Sequence, residues 1–505
     1  MSLKKNTIAN YAGQGYTALI VIIMMPLYLR YLGAEAYGLV GFFIVMQAWF
    51  GLLDMGLSPT LSRQIAHARG LQGDGQMDLR VMLRTIEWIF LLTGAAVAAG
   101  VWMGSPWIAA HWLKVKTLPI SEVVYCIRLM GIMMGLRWFA SLYRGGIQGM
   151  EQMVWLGGAN IVIATLRYVG LYVLLRWITQ APAYFFDYEL AISVVGLCVL
   201  AFKFYRCLPP DRVAARFSPA VFKRVLPFTG GMAYASAVWV LYTQIDKLIL
   251  SKALSLKEFG YFTLVTVVSN GLISLIGPVS QAIMPRMTML LSQGDKEAMD
   301  SVYHKATQFT ASIVFPLAGT LTIFARQSLF AWTGSREASA WAGPVLSWYI
   351  MGTGILAVAS FPYYLQYAYG KLKLHVLNNT VNVLVQGPVL AYAAFKYGAM
   401  GVAISWFVMR ALWFSVFPYI VHRKFAPGIH GKWLKTDIFP SLAASLIVLG
   451  IINGIMRNIV PQGRLELLIV LPLTVIAAFT ASVLASPDLR RIVLSGLRLA
   501  KARAL

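Results

Sequence analysis

The chain has 505 residues, 59% of them apolar and only 12% charged, with a mean hydropathy of +0.68. Soluble globular chains carry about 25% charged residues, so a string of soluble domains is excluded. So is a disulfide-stapled secreted fold, since Cys126, Cys198 and Cys207 include no CxxC pair.

A basic start with Lys4 and Lys5 precedes an apolar stretch over 8–31, too long for a cleaved signal segment and followed by no small-residue cleavage site. It reads as a retained first helix. Apolar runs of about 20 residues, enough for a hydrocarbon core of roughly 30 Å, follow at 36–61, 81–104, 122–144, 153–177, 184–205, 225–250, 259–284, 306–330, 341–369, 374–395, 399–421, 438–456 and 465–486. The expectation is an all-α polytopic membrane protein with about 14 transmembrane helices. Residues 1–206 form one lobe and 225–421 a second, joined by a basic linker over 207–224. Two further helices lie in 438–486, and a basic tail spans 487–505.

The net charge of +24 would suggest nucleic acid in a soluble protein. Here it belongs first to the loops: Lys203, Arg206, Arg212, Arg216, Lys223 and Arg224 crowd one connection, and Arg490, Arg491, Arg498, Lys501 and Arg503 the tail. By the positive-inside rule these segments and both termini are cytoplasmic, and no nucleic-acid partner is expected. Six basic residues remain within the spans: Arg84, Arg128, Arg137, Arg167, Lys247 and Arg410. Arg84 and Arg128 lie near helix ends, from which they can snorkel. Arg137, Arg167 and Arg410 sit near mid-helix, where each costs about 2.5–3.5 kcal/mol on insertion scales unless it faces water, a partner or an anionic ligand. Deep acids to neutralise them are scarce.

The chain repeats itself weakly. "LGAEAYGLVGFF" (32–43) joins the first helix to the second, and "LSLKEFGYFTL" (254–264) joins the seventh to the eighth. Each is followed within a helix length by a proline with an arginine close behind (Pro59 and Arg63; Pro285 and Arg286). An even number of helices separates the copies, so the halves are parallel repeats about an axis along the membrane normal, with a site expected between them.

The stretches "YLRYLGAEAYGLVGFFIVMQAWFGLLDMGLSPTLSR" (28–63), "LYRGGIQGMEQ" (142–152), "TQIDKLILSKALSLKEFGYFTL" (243–264) and "QAIMPRM" (281–287) resemble the Wzx-type O-antigen flippases of the multidrug/oligosaccharidyl-lipid/polysaccharide exporter superfamily. The resemblance covers nearly the whole chain. It implies two six-helix lobes in a V around a central cavity, and transfer of an undecaprenyl-pyrophosphate-linked oligosaccharide from the inner to the outer leaflet of the bacterial inner membrane. A polysaccharide polymerase and a chain-length regulator are the further partners it suggests. Drug exporters of the superfamily often place an acid in the first helix, whereas 8–31 contains none, and lipid II flippases carry a different signature between the first two helices.

The physical chemistry reaches a similar place. Each sugar hydroxyl dragged unpaired through hydrocarbon costs several kcal/mol, so a polar cavity must carry the head group. A pyrophosphate calls for guanidinium donors, which match its oxygens bidentately. Arg137 and Arg144, one heptad apart, fall within about 20° on one helix face; Arg144 reads also as a topogenic loop charge. Arg167 shares a face with Asn160 by the same spacing and, like Arg137, could instead pair with an acid or a backbone carbonyl. Arg410 is the counterpart in the second half. Polar stripes at Asn10, Gln14 and Thr17, at Asn270, Ser274 and Gln281, and at Asn378, Asn382 and Gln386 read as cavity wall or as interhelical glue. Asp246 and Glu87 are candidates for ion coupling, with salt bridges, Glu87 to Arg84 among them, as the plainer reading. Asp54 and Arg63 are candidate gate residues.

Nucleotide, metal and catalytic motifs are missing: there is no GxxxxGK[ST], HExxH or DxD, and the six histidines are scattered. No cofactor and no metal is expected. The rival readings are a polymerase or ligase, which should carry a large periplasmic loop, and a drug antiporter, whose cavity should be acidic.

Overall fold

Within hydrocarbon, backbone groups can be satisfied only inside a helix or a closed barrel, and runs this apolar with short connections fold into helices. The computed structural model describes residues 3–54, 58, 61–62, 65, 75–208, 218–458 and 463–504. Among these, every regular element is helical apart from one isolated bridge between Lys114 and Ser255. The α-helices of eight or more residues are, in chain order, α1 (Leu3–Leu32), α2 (Ala34–Phe50), α3 (Gly75–Trp107), α4 (Ile120–Gly149), α5 (Met153–Trp177), α6 (Pro182–Cys207), α7 (Pro219–Ala253), α8 (Leu256–Ser274), α9 (Gly277–Ser292), α10 (Lys296–Ile323), α11 (Ala325–Thr333), α12 (Arg336–Val358), α13 (Phe361–Ala368), α14 (Lys373–Phe425), α15 (Phe439–Asn458), α16 (Arg464–Ala485) and α17 (Pro487–Ala504).

Eleven helical stretches among the described residues are long and apolar enough to cross a membrane. The protein is an all-α polytopic membrane protein. The 53 residues of α14 cover two of the expected spans, divided at Gly398, whose φ of 63° and ψ of −148° no residue with a Cβ adopts without strain. The basic tail is helical as α17.

The chain divides into two compact units, Met1–Gly260 and Tyr261–Leu505. In the first, α4 packs between α3 and α6, and α1 lies along α5. Small residues allow these close approaches: a Cβ on Gly135 would stand 3.0 Å from the Gly94 carbonyl oxygen, and one on Gly13 3.3 Å from that of Gly157. Hydrogen bonds from Tyr28 Oη to the Tyr168 carbonyl (2.7 Å) and between Tyr16 Oη and Thr165 Oγ1 (2.6 Å) tie α1 to α5.

The repeated segments meet inside this unit. A Cβ on Gly38 would stand 2.1 Å from the Leu256 carbonyl oxygen, and a Cβ on Gly260 2.3 Å from that of Ala34. One sequence offset relates Gly38 to Gly260 and Ala34 to Leu256, so the contact is reciprocal, as in a two-fold interface. The segment before α4 is clasped to the same place. The Lys116 and Thr117 amides donate to Glu35 (2.5 and 2.8 Å), and the Leu256 amide donates to the Lys114 carbonyl (3.0 Å).

In the second unit α10 is the hub, against α12, α15 and α16, while α12 packs on α14. Buried serines bind α10, α15 and the end of α16 together. Ser441 Oγ lies 2.8 Å from Ser486 Oγ and 3.2 Å from Ser312 Oγ, and Ser445 Oγ lies 3.2 Å from Ser482 Oγ.

Candidate functional site

The face of α4 that carries Arg137 carries Ser141, Arg144 and Gln148 as well, at spacings of four, three and four residues. That period keeps all four on one side of the helix. They line a cavity of about 740 Å³, opposite Gln47 of α2 and Ser58 and Ser62 of the following segment, with Trp138 and Phe50 as apolar wall. Pockets for small ligands run to about 300–1,000 Å³. Glycine shapes this wall: a Cβ on Gly145 would stand 2.8 Å from the Ser58 carbonyl oxygen, and one on Gly149 2.4 Å from that of Ser62.

Arg137 is held on three sides. Its Nε donates to Ser193 Oγ (3.0 Å), one terminal nitrogen to Gln47 Oε1 (3.1 Å) and the other to Glu189 Oε2, with the guanidinium 4.8 Å above the Phe43 ring. Arg167 points its Nε at the same Glu189 oxygen from 3.5 Å. Glu189 is thus the acid that the sequence reading lacked, and the expected scarcity of deep acids is corrected on this point. It lies near the start of α6, one turn before Ser193, and meets its arginines only because α6 packs on α4 and α5. Pairing across three helices leaves no trace in spacing. Two guanidinium groups on one carboxylate leave the cluster cationic. Removing one partner of such a buried set costs about 3–5 kcal/mol.

Arg167 and Asn160, expected on one face of α5, have different partners, and Arg167 pairs with an acid, as the alternative reading had it. Asn160 Oδ1 accepts from Arg144 Nη1 (2.7 Å), on the cavity side, while Arg167 turns to Glu189. The helical period places Ser141 and Gln148 on the face of Arg137 and Arg144, but uncharged polar side chains carry no large insertion cost that would single them out in the sequence.

The other candidates fall elsewhere. Gln14 is exposed on α1. Arg410 is buried in the second unit, its guanidinium 4.0 Å above the Trp406 ring, which stacks on Tyr349. In the first turns of α14, Asn382 Nδ2 donates to the Asn378 carbonyl (2.8 Å); Asn382 Oδ1 and Gln386 Nε2 are buried with no hydrogen-bond partner among the described residues. Glu87 accepts from Arg84 (2.9 Å), Tyr143 (3.0 Å) and Tyr205, which joins α3, α4 and α6. Asp246 is buried, 3.4 Å from Lys247 Nζ. The Asp54 side chain and the whole of Arg63 lie outside the described residues. Among the described residues no group of three His, Cys, Asp or Glu side chains could hold a metal ion.

The second unit holds a polar cluster that the sequence did not announce. Asp437 accepts from Gln308 Nε2 (2.9 Å) and Thr436 Oγ1 (2.8 Å) and pairs with His304 Nδ1. Gln308 Nε2 also donates to Asp488 Oδ2 (3.0 Å) and its Oε1 accepts from the Asp488 amide (3.0 Å), while His422 bonds Tyr303 Oη (2.7 Å) and His430 Nδ1 (2.9 Å).

Known proteins resemble the chain in sequence and in fold. A "Putative O-antigen transporter" of Shigella flexneri is 23% identical over 416 residues, 80% of this chain and 94% of that one. The lipid II flippase MurJ in an inward closed conformation superposes with a TM-score of 0.73 at 12% identity, covering 95% of this chain and 98% of its own. An inward-facing multidrug resistance MATE family transporter of the MOP superfamily superposes with a TM-score of 0.64 at 14% identity, covering 81% and 96%. The fold is that of these transporters. Residues 3–291 match the family described as polysaccharide biosynthesis protein, and the chain belongs to that family.

Proposed function

We propose that the protein is a flippase carrying an undecaprenyl-pyrophosphate-linked oligosaccharide from the inner to the outer leaflet of the bacterial cytoplasmic membrane by alternating access. The observation that carries the reading is the α4 stripe, two arginines with serine and glutamine between and beyond them, along a cavity inside an apolar helical protein. Arg137 and Arg144 bind the pyrophosphate, which guanidinium groups match bidentately, while Ser58, Ser141 and Gln148 offer hydrogen bonds to sugar hydroxyls. Arg167 adds positive charge behind them, and Arg410 with Asn378 and Asn382 serves the second half. Residues 1–206 and 225–421 are the two lobes of the exchange, with both termini in the cytoplasm. Family membership and the resemblance to an O-antigen transporter support the substrate class. The driving force is an ion gradient or the membrane potential, since one charge crossing 100 mV supplies about 2.3 kcal/mol. Asp246 is the coupling candidate; the two tyrosines and the arginine on Glu87 favour an anchoring role there.

The test is the sidedness of polyprenyl-linked oligosaccharide in cells depleted of the protein, read with a membrane-impermeant sugar-modifying reagent on whole and inverted vesicles. Accumulation on the cytoplasmic face is expected. Accumulation on the periplasmic face would point to a polymerase or ligase, and none at all to export of a different solute.

A further inference from the structure

Every nitrogen of the Arg137 guanidinium is engaged: Nε with Ser193, the terminal nitrogens with Gln47 and Glu189. A bidentate grip on phosphate needs two parallel N–H groups on one edge of the fork, and here that edge is turned to Gln47 and Glu189. For Arg137 to hold an anionic head group in the cavity it lines, at least one of these contacts must be given up. We propose that Glu189 is a displaceable counter-anion, which cedes Arg137 to the phosphate of the entering head group and takes it back when that head group leaves. The inference rests on the flippase reading and assigns the exchange that such a site must perform.

Three features of the cluster fit this role. The carboxylate has a second place to go, because Arg167 Nε is buried, has no hydrogen-bond partner among the described residues, and lies 3.5 Å from the oxygen that Arg137 uses. A small rotation of Glu189 completes that bond as Arg137 departs. No other carboxylate forms an ion pair with either arginine among the described residues, so the exchange has a single internal competitor. The site also stays cationic. Arg137, Arg144 and Arg167 against Glu189 and the cavity-lining Glu151 leave one positive charge, which favours an anionic head group.

The role answers a problem that any anion carrier meets at release. An arginine stripped of its ligand inside a low-dielectric protein is strongly disfavoured, so a site built of arginine alone would bind the head group and keep it. Glu189 supplies the replacement anion as the phosphate leaves. In exchange it weakens binding, because every ligand must first compete with it.

The experiment is a double-mutant cycle on the purified full-length protein in detergent, with farnesyl pyrophosphate as the probe and farnesol as the control for tail binding. Glu189→Gln keeps the shape and removes the competing charge. Close charge pairs couple strongly enough that it should tighten farnesyl pyrophosphate binding about tenfold or more and slow its dissociation. In the Arg137→Ala background the same substitution should have little effect, since the competition runs through Arg137. Glu189→Asp, which shortens the reach and keeps the charge, should fall between, and it serves as the second variant if Glu189→Gln does not fold. Wild type and Glu189→Gln binding the probe equally, or Glu189→Gln acting equally with and without Arg137, would overturn the proposal and leave the flippase reading standing. Pyrophosphate bound no better than farnesol by every variant would overturn both.

Discussion

The two units bury charge in opposite ways. In the first, Arg137 and Arg167 share one carboxylate, and Arg137 and Arg144 also border a cavity, where a ligand can compete with Glu189 for Arg137 and reach the Arg144 nitrogens that Asn160 does not hold. In the second, Asp437 is fully buried and closed in by His304, Gln308 and Thr436, and His422 has a partner at each ring nitrogen. Cost alone does not tell these clusters apart, since both bury ionisable groups that would be disfavoured if left unpaired. What separates them is whether the polar atoms are spent. A satisfied network fixes the packing of helices, here α10, the short helical segment 429–438 and the start of α17; a network that borders a cavity can exchange its partners with a ligand.

That contrast breaks most clearly under one substitution in each unit. Asp437→Ala removes the acceptor of a closed network and strands His304, while Gln308 keeps its bonds to Asp488. It should lower stability by about 3–5 kcal/mol, seen as a large fall in the thermal unfolding temperature in detergent, while any protein that stays folded keeps its affinity for farnesyl pyrophosphate. Arg144→Ala should do the reverse. It donates to Asn160, which is half-buried, so stability should change little, whereas pyrophosphate affinity should fall about 30-fold or more, as when one partner of a charged hydrogen-bonded pair is cut away. If Arg144→Ala unfolds the protein and spares binding, the cavity of the first unit is structural and the contrast is lost.

A smaller effect is expected where the repeats meet. Gly38→Ala and Gly260→Ala each drive a Cβ against a backbone carbonyl of the other segment, and overpacking of this kind costs about 1–3 kcal/mol. Because both glycines belong to one reciprocal contact, the double variant should lose clearly less than the sum of the singles. Additive losses would mean that the two approaches are independent.

The long elements of this fold were legible because hydropathy writes them directly. The expected span over 153–177 coincides with α5, and the expected break between 395 and 399 contains Gly398, where α14 changes direction. The α4 face was legible as well, because helical period depends on one segment alone. Partners on different helices were not. Glu189 lies more than fifty residues from Arg137 and Asp437 more than a hundred from His304, and spacing says nothing about which helix packs on which. The spread of the histidines along the chain likewise concealed that α14 and the short helix Ile429–Lys432 after it bring His422 and His430 together. The recurrence of "LGAEAYG" as "LSLKEFG" was visible, but only the fold shows that the copies touch each other.

The smallest effect tests the closed side of the comparison at its weakest joints. Ser445 and Ser482 are buried 3.2 Å apart between α15 and α16, and each also bonds a backbone carbonyl of Ser441. Hydrogen bonds between membrane helices average only about 0.6 kcal/mol in double-mutant cycles, because the separated helices find other partners in the membrane. Ser445→Ala should therefore cost about 0.6 kcal/mol, and the pair Ser445→Ala with Ser482→Ala scarcely more than the two singles together. A coupling near 1.7 kcal/mol, the top of that range, would show the serines acting as one network with Ser312, Ser441 and Ser486. The second unit would then owe its rigidity to hydroxyl networks as much as to its buried acid, and charge would no longer be the feature that sets the two units apart.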